Sequence, residues 1–164
     1  MRTFDTIWEF AGAAGEHLGH SGWRTVDQAM VSAFAEVTGD RQWIHTEPER
    51  AAAGPYGGTV AHGYLILSLL PSMASEVYEV RGVAATVNYG LERVRFPSPV
   101  RVGSRVRVGV QIISVEAGSA GATHAVLRHT VQVEGADRPA CVADTVRRFV
   151  PAAMASAAAD RAGA

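Results

Sequence analysis

The chain has 164 residues, of which 48% are apolar and 19% charged, and its formal net charge is −1. This is the composition of a globular protein large enough to bury a core in one domain, and no basic block suggests nucleic-acid binding. A single cysteine excludes an internal disulfide framework, and the complete absence of lysine excludes a Schiff-base mechanism through a lysine side chain.

Two amphipathic helices are predicted in the first forty residues. Residues 5–15 have helical periodicity, with Asp5 as a candidate cap and Gly15 as a candidate end. After a short strand near residues 23–26, Thr25-x-x-Gln28 fits a capping box. Helically spaced apolar residues follow this box, and Gly39 is expected to end the helix as its carboxyl cap.

The next segment is predicted to be a loop held at both ends. It runs from Asp40 to His45 and begins directly after the glycine cap. Thr46-x-x-Glu49 is a second capping box, which opens a short helix over residues 47–53. A Gly-Pro pair ends that helix, so the segment between the two helices is constrained by cap chemistry.

A long apolar helix is predicted next. The turn Tyr56-Gly57-Gly58 precedes Thr59, a candidate cap for a helix that runs to about Val80. The helix is apolar over most of its circumference, so we expect it to be buried.

From residue 83 the sequence favours strands. Four segments rich in Val, Ile and Thr are separated by turn residues, namely 83–96, 104–116, 123–134 and 140–150. Three long strands in meander order, preceded by one buried helix, predict an α+β protein whose antiparallel sheet wraps around the helix of about residues 60–80. A single domain is expected over residues 1–151, with an alanine-rich, disordered tail at 152–164.

The candidate chemistry lies between residues 40 and 63. Asp40 and His45 suit general acid–base catalysis, because one group holds a proton while the other lacks it. Gly63 opens the long helix, where free backbone amides favour negative charge and a missing side chain lets a carbonyl oxygen approach. The pattern alone leaves simpler alternatives open, since Asp40 also suits a turn after a glycine and His62 also suits packing at a helix start.

The segment FAEVTGDRQWIHTEPERAAAGPYGGTVAHGYLILSLL, from Phe34 to Leu70, resembles the hydratase motif of the MaoC-like, (R)-specific enoyl-CoA hydratases. It is most similar to their NodN-like (3R)-hydroxyacyl-thioester dehydratase subgroup. The similarity extends to about Val150 and includes NYGLERVRFPSPVRVGSRV and PACVADTV. The family pattern is D-x-N-P-[IL]-H followed by A-H-G, so Asp40, His45 and His62-Gly63 match. Gln42 replaces the family's Asn and Trp43 its Pro, which we interpret as subgroup features.

The resemblance implies a hot-dog fold and a homodimer. It also implies cofactor-free and metal-free, reversible syn hydration of a trans-2-enoyl thioester of CoA or acyl-carrier protein to the (3R)-3-hydroxyacyl thioester. Asp40 and His45 would handle water and its proton, and the Gly63 amide would bind the thioester oxygen. Gln42, Trp43, His62 and Tyr89 are the expected substrate-contacting residues. With no signal-peptide core and no apolar run long enough for a bilayer, we expect a cytoplasmic protein without membrane or nucleic-acid partners.

Two other functions remain open from the sequence. One is an acyl-CoA thioesterase on the same fold, in which the carboxylate would activate water toward the carbonyl. The other is a non-catalytic acyl-binding module. The sequence leaves open the preferred length of the acyl chain, the thioester carrier (CoA or acyl-carrier protein) and the pathway. It also leaves open which member of the Asp–His pair acts as acid and which as base.

Overall fold

The computed structural model describes residues 1–152, so the predicted tail lies outside the described residues except for its first position. Five α-helices lie before the four long strands of the main sheet. They are α1 (Ile7–Gly12), α2 (Gln28–Thr38), α3 (Trp43–Thr46), α4 (Pro48–Ala52) and α5 (Gly63–Ala74). Eight strands complete the regular structure. They are β1 (Arg2–Phe4), β2 (His17–His20), β3 (Arg24–Thr25), β4 (Tyr78–Val80), β5 (Val83–Arg95), β6 (Arg105–Ala117), β7 (Thr123–Val133) and β8 (Cys141–Pro151).

The main sheet is antiparallel and has the order β2-β6-β7-β8-β5, with β3 also pairing with β6. The predicted meander of three long strands is formed by β6, β7 and β8. β5 pairs with β8 at the far side of the sheet. The free side of β6 is occupied by β2 and β3, so no edge is left there for β5.

Helix α5 packs against β6 and β8 and buries five of its side chains. The buried residues are Leu65, Ile66, Leu70, Met73 and Ala74. The helix was predicted over about residues 60–80, but α5 begins at Gly63 and ends at Ala74. Tyr78–Val80 instead forms β4, paired in parallel with Arg2–Phe4. A partner strand more than seventy residues away therefore ends the helical segment early.

Capping residues set where α1 and α2 begin and end. Thr6, rather than Asp5, caps α1 by accepting a hydrogen bond from the Glu9 amide, and α1 ends at Gly12. Asp27, rather than Thr25, caps α2 through the Met30 amide. Gly39 ends α2 in the left-handed conformation with φ 77°, as predicted.

The segment predicted to be non-helical is helical in its second half, because α3 begins at Trp43. The amides of His45 and Thr46 both donate to the Gln42 carbonyl and form one tight turn. The side chain of Cys141 is buried, and burial raises the pKa of its thiol to about 11. Within residues 1–152, no helix has the length and apolarity to cross a membrane.

Candidate active site

The structure brings Asp40, His45 and His62 together at the amino end of α5. One carboxylate oxygen of Asp40 and one ring nitrogen of each histidine lie within 4.8 Å of one another. Asp40 follows the glycine cap of α2, His45 lies in α3, and His62 is the residue preceding α5. Three separate elements therefore converge on a single acid–base cluster.

His45 is 7% exposed, and its Nδ1 lies 2.6 Å from the Val60 carbonyl oxygen. A carbonyl only accepts, so Nδ1 carries the proton and donates it, and Nε2 keeps a lone pair. Burial lowers the pKa of His45, and the neighbouring His62 lowers it further, while the Val60 hydrogen bond and Asp40 oppose the shift. The imidazole is thus held neutral, with Nε2 free to accept a proton near neutral pH.

His62 is 3% exposed and stacks on His45, with ring centroids 3.7 Å apart and planes at 26°. Its Nε2 donates to the main-chain carbonyl of Asp40 at 2.9 Å and lies 4.0 Å from the Asp40 carboxylate. Its Nδ1 is buried without a partner among the described residues. His62 therefore contacts both members of the predicted Asp–His pair and holds them in place.

The Asp40 side chain is about half exposed, unlike the two histidines beside it. The next residue, Arg41, directs its guanidinium to Glu36 at 2.6 Å. Because Arg41 is engaged elsewhere, the Asp40 carboxylate faces the histidines without an arginine partner within residues 1–152. An accessible carboxylate next to a buried neutral imidazole is suited to hold and orient a water molecule.

Gly63 is the first residue of α5, and its amide makes no hydrogen bond with residues 1–152. A Cβ at this position would come within 3.0 Å of the Phe96 ring, so close packing requires glycine here. Gly63 and His45 line one cavity of about 380 Å³, together with Tyr56, Ile66 and Phe96. The free amide, the neutral imidazole and the cavity are thus adjacent.

Three of the sequence-predicted residues lie outside this cluster. Gln42 is exposed at the start of α3, and its side chain makes no capping hydrogen bond. Trp43 packs over Gly54 and under the Arg50 guanidinium, 4.7 Å from the ring centroid. Tyr89 is 58% exposed on β5 and lies against His124. Their contacts with substrate stay predictions.

Gln28 is a positioning residue that the sequence analysis assigned to a capping box. Its amide nitrogen donates to the His45 carbonyl at 2.8 Å, and its amide oxygen accepts from the Thr59 hydroxyl at 2.6 Å. Thr59, predicted to cap the long helix, is therefore bonded to α2 instead. A Gln at the first position of a helix carries no sequence signal for this long-range bridge.

Among residues 1–152, Asp40, His45 and His62 are also the group whose donor atoms come close enough together for a metal ion. One nitrogen of each imidazole is already hydrogen-bonded to a main-chain carbonyl. The lone pairs of His45 Nε2 and His62 Nδ1 are therefore the imidazole electron pairs left to coordinate a metal ion.

Comparisons with known proteins agree over most of the chain. A family model described as a MaoC like domain matches residues 9–134. The 3-hydroxyacyl-thioester dehydratase Z of Mycobacterium tuberculosis is 51% identical over 150 residues, which cover 92% of this chain and 99% of that protein. Nodulation protein N of Rhizobium leguminosarum bv. viciae is 48% identical over 143 residues, covering 84% and 88% respectively. A solved structure titled as a monoamine oxidase regulatory protein from Archaeoglobus fulgius superposes with a TM-score of 0.75 at 22% identity, covering 90% of this chain and 95% of that one. The predicted hot-dog fold is confirmed.

Proposed function

The chain belongs to the MaoC-like dehydratase family, and from that premise we propose that it reversibly hydrates trans-2-enoyl-CoA to (3R)-3-hydroxyacyl-CoA. The family supports hydration and dehydration of acyl thioesters in general, and one relative is named a 3-hydroxyacyl-thioester dehydratase. The observation that carries the proposal is the Asp40–His45–His62 cluster beside the free Gly63 amide. The 3R configuration is taken from the motif resemblance.

The chemistry of each group follows from its surroundings. With the thioester oxygen on the Gly63 amide, electrons from the C2=C3 bond move toward that oxygen as water attacks C3. His45 Nε2 takes one water proton, and the Asp40 carboxylate accepts a hydrogen bond from the other and orients the water. The Asp40–His45 pair then delivers to C2 the proton that His45 Nε2 took from water. The product gains OH at C3 and H at C2, which together amount to one water.

The homodimer belongs to the same proposal and is supported by β5. Among the described residues this strand pairs with β8 along one edge, and it is exposed along nearly its whole length. Its exposed apolar side chains include Val87, Tyr89 and Leu91. A long, apolar, unpaired edge is a site of strand pairing between chains. We also propose that the enzyme acts in the cytoplasm, where acyl thioesters are formed.

The test is loss of enoyl absorbance with crotonyl-CoA and with a medium-chain trans-2-enoyl-CoA. We expect rapid loss with the parent, a (3R) product by chiral analysis, and collapse of kcat in Asp40→Asn and in His45→Ala. His20→Ala, which removes an imidazole outside the cluster, is the matched control and should retain parent activity.

A folded parent that hydrates no enoyl-CoA of any chain length would overturn the proposal. Release of free CoA from a saturated acyl-CoA, detected with a thiol reagent, would indicate the thioesterase alternative. Thioester binding without turnover, unchanged in both dyad variants, would indicate an acyl-binding module.

A further inference from the structure

Arg147 is a buried charge that forms no ion pair in the described part of the chain, although Glu79 lines one of the same cavities. Arg147 lies on β8 and is 8% exposed, although arginine is almost never buried unless it is paired. Within residues 1–152 it makes no ion pair, and its Nε is buried without a hydrogen-bond partner. Burial lowers the pKa of the neighbouring His129, and the charge of Arg147 lowers it further.

An arginine cannot relieve this situation by losing its proton, because its pKa is too high. Removing a charge from water without pairing it is unfavourable by several kcal/mol. The planar guanidinium is matched to carboxylate and phosphate, which it binds through two parallel hydrogen bonds. The position therefore selects for an anion that comes from outside the described chain.

The space around Arg147 is a groove between α5 and β5. Two cavities of about 300 and 310 Å³ meet at Pro71 and Arg147 and have both residues in their walls. The first is mainly apolar and is bounded by Leu67, Leu70, Leu91 and Val146. The guanidinium thus lies at the junction of an apolar channel and a second pocket.

The groove and the candidate active site occupy consecutive stretches of α5 and β5. The cavity that holds His45 and Gly63 is walled by Ile66 of α5 and by Phe96, just beyond the end of β5. The cavity beside Arg147 begins at the next residue of α5, Leu67, and is walled on β5 by Leu91. An acyl chain that occupied both cavities would run along α5 from the Gly63 amide to Arg147.

The length of the path sets the size of its occupant. Pro71 is eight residues after Gly63, which corresponds to about 12 Å along a helix. An extended chain covers about 3.3–3.6 Å for every three bonds, so about ten bonds join the two points. A medium-length acyl chain with its carbonyl oxygen at Gly63 would place its far end beside the guanidinium.

We propose that Arg147 binds a carboxylate at the far end of the acyl chain, so that the preferred substrates are medium-chain enoyl thioesters ending in a carboxylate. The inference rests on the proposed hydration of enoyl thioesters. The phosphates of CoA offer the same anionic chemistry, but the apolar walls between Gly63 and Arg147 match a hydrocarbon chain rather than the amide-bearing arm of CoA.

Binding is measured first, by calorimetry with two saturated thioesters that cannot be hydrated, decanoyl-CoA and its ω-carboxylated counterpart. A charge-assisted hydrogen bond predicts that the parent binds the carboxylated ligand about tenfold or more tightly. Arg147→Met and Arg147→Gln should lose this preference while binding decanoyl-CoA at least as well as the parent. Arg107→Met, which removes an arginine that lies against Trp23 outside the groove, should keep the preference.

Turnover of the matching trans-2-enoyl-CoA pair gives the second measurement, with the preference expected in kcat/KM. Both thioesters are also made with pantetheine, which lacks the phosphates of CoA. If Arg147→Met weakens both CoA ligands equally and neither pantetheine ligand, the arginine binds CoA phosphate and the proposal is overturned.

Two further results would also overturn it. One is equal affinity of the parent for the two ligands. The other is a loss of dimer in Arg147→Met, which would mean that a carboxylate of a second chain pairs with the arginine. Because the calorimetry needs no turnover, a parent that lacks hydratase activity but prefers the carboxylated ligand would contradict the proposed reaction and leave the anion site supported.

Discussion

Replacing Gln28 by methionine tests whether α2 holds His45, the proposed catalytic histidine, in place. Methionine keeps the length of the side chain but removes both the bond to the His45 carbonyl and the bond to Thr59. Each bond contributes about 1 kcal/mol net, and a buried hydroxyl left without a partner adds about 1–3 kcal/mol. Thr59 is buried, so we expect the free energy of unfolding to fall by roughly 3–5 kcal/mol in Gln28→Met.

The effect on catalysis follows from α3. This four-residue helix has no side-chain cap, so the Gln28 bond is its main link to α2. Without it, we expect His45 to sample misplaced positions and kcat to fall about tenfold or more, with KM nearly unchanged. Urea denaturation measures the first effect, and enoyl-CoA hydration measures the second.

Thr59→Val is the matched control, because it removes only the hydroxyl bond and leaves the His45 bond intact. We expect it to reduce stability and to retain most of kcat, and the double variant gives the coupling between the two positions. If Gln28→Met and Thr59→Val lose equal stability and neither changes kcat, the link from α2 to His45 has no role in catalysis.

Three further variants test other features. Gly63→Ala places a Cβ 3.0 Å from the Phe96 ring, so kcat/KM should fall about tenfold; adding Phe96→Leu should restore part of it, and no loss would contradict the close-approach argument. Burial, followed by the charge of Arg147, lowers the pKa of His129 to about 4. Between pH 6.5 and pH 4 the unfolded chain therefore binds a proton at His129 that the folded chain does not bind. The free energy of unfolding should consequently be about 3 kcal/mol lower at pH 4 than above pH 6.5. Urea titrations should show a flatter profile for His129→Leu, and parallel profiles would refute the assignment. Leu91→Lys on β5 should dissociate the proposed dimer in sedimentation, whereas Val37→Lys on exposed α2 should not; an intact Leu91→Lys dimer would place the interface elsewhere.

The parts of the fold that depend on local signals could be predicted from the sequence. Gly39 ends α2 because a left-handed cap needs glycine, and that requirement is visible in the chain itself. The four long strands were predicted to within about one residue at each end, since β-branched residues and turn residues mark them directly. The candidate catalytic motif was likewise found from adjacent residues.

The parts that depend on distant partners could not be predicted. Tyr78–Val80 becomes a strand only because Arg2–Phe4 lies beside it. Gln28 matches a capping box in sequence but forms its bonds to α3 and to Thr59 instead. β5 has register shifts, one of them between Asn88 and Gly90, so alternation along the sequence does not tell which side chains face α5.

The position of β8 has a consequence for how the chain reaches its native state. β8 lies between β7 and β5, although β5 precedes it by more than forty residues. During synthesis, β5 emerges from the ribosome and must wait without a partner until the last strand of the sheet is made. Such non-local pairing slows folding and leaves an apolar strand exposed to aggregation in the interval. Truncation within β8 would therefore leave β5 without a partner and β7 with an open edge, and it is expected to direct nascent chains to chaperones.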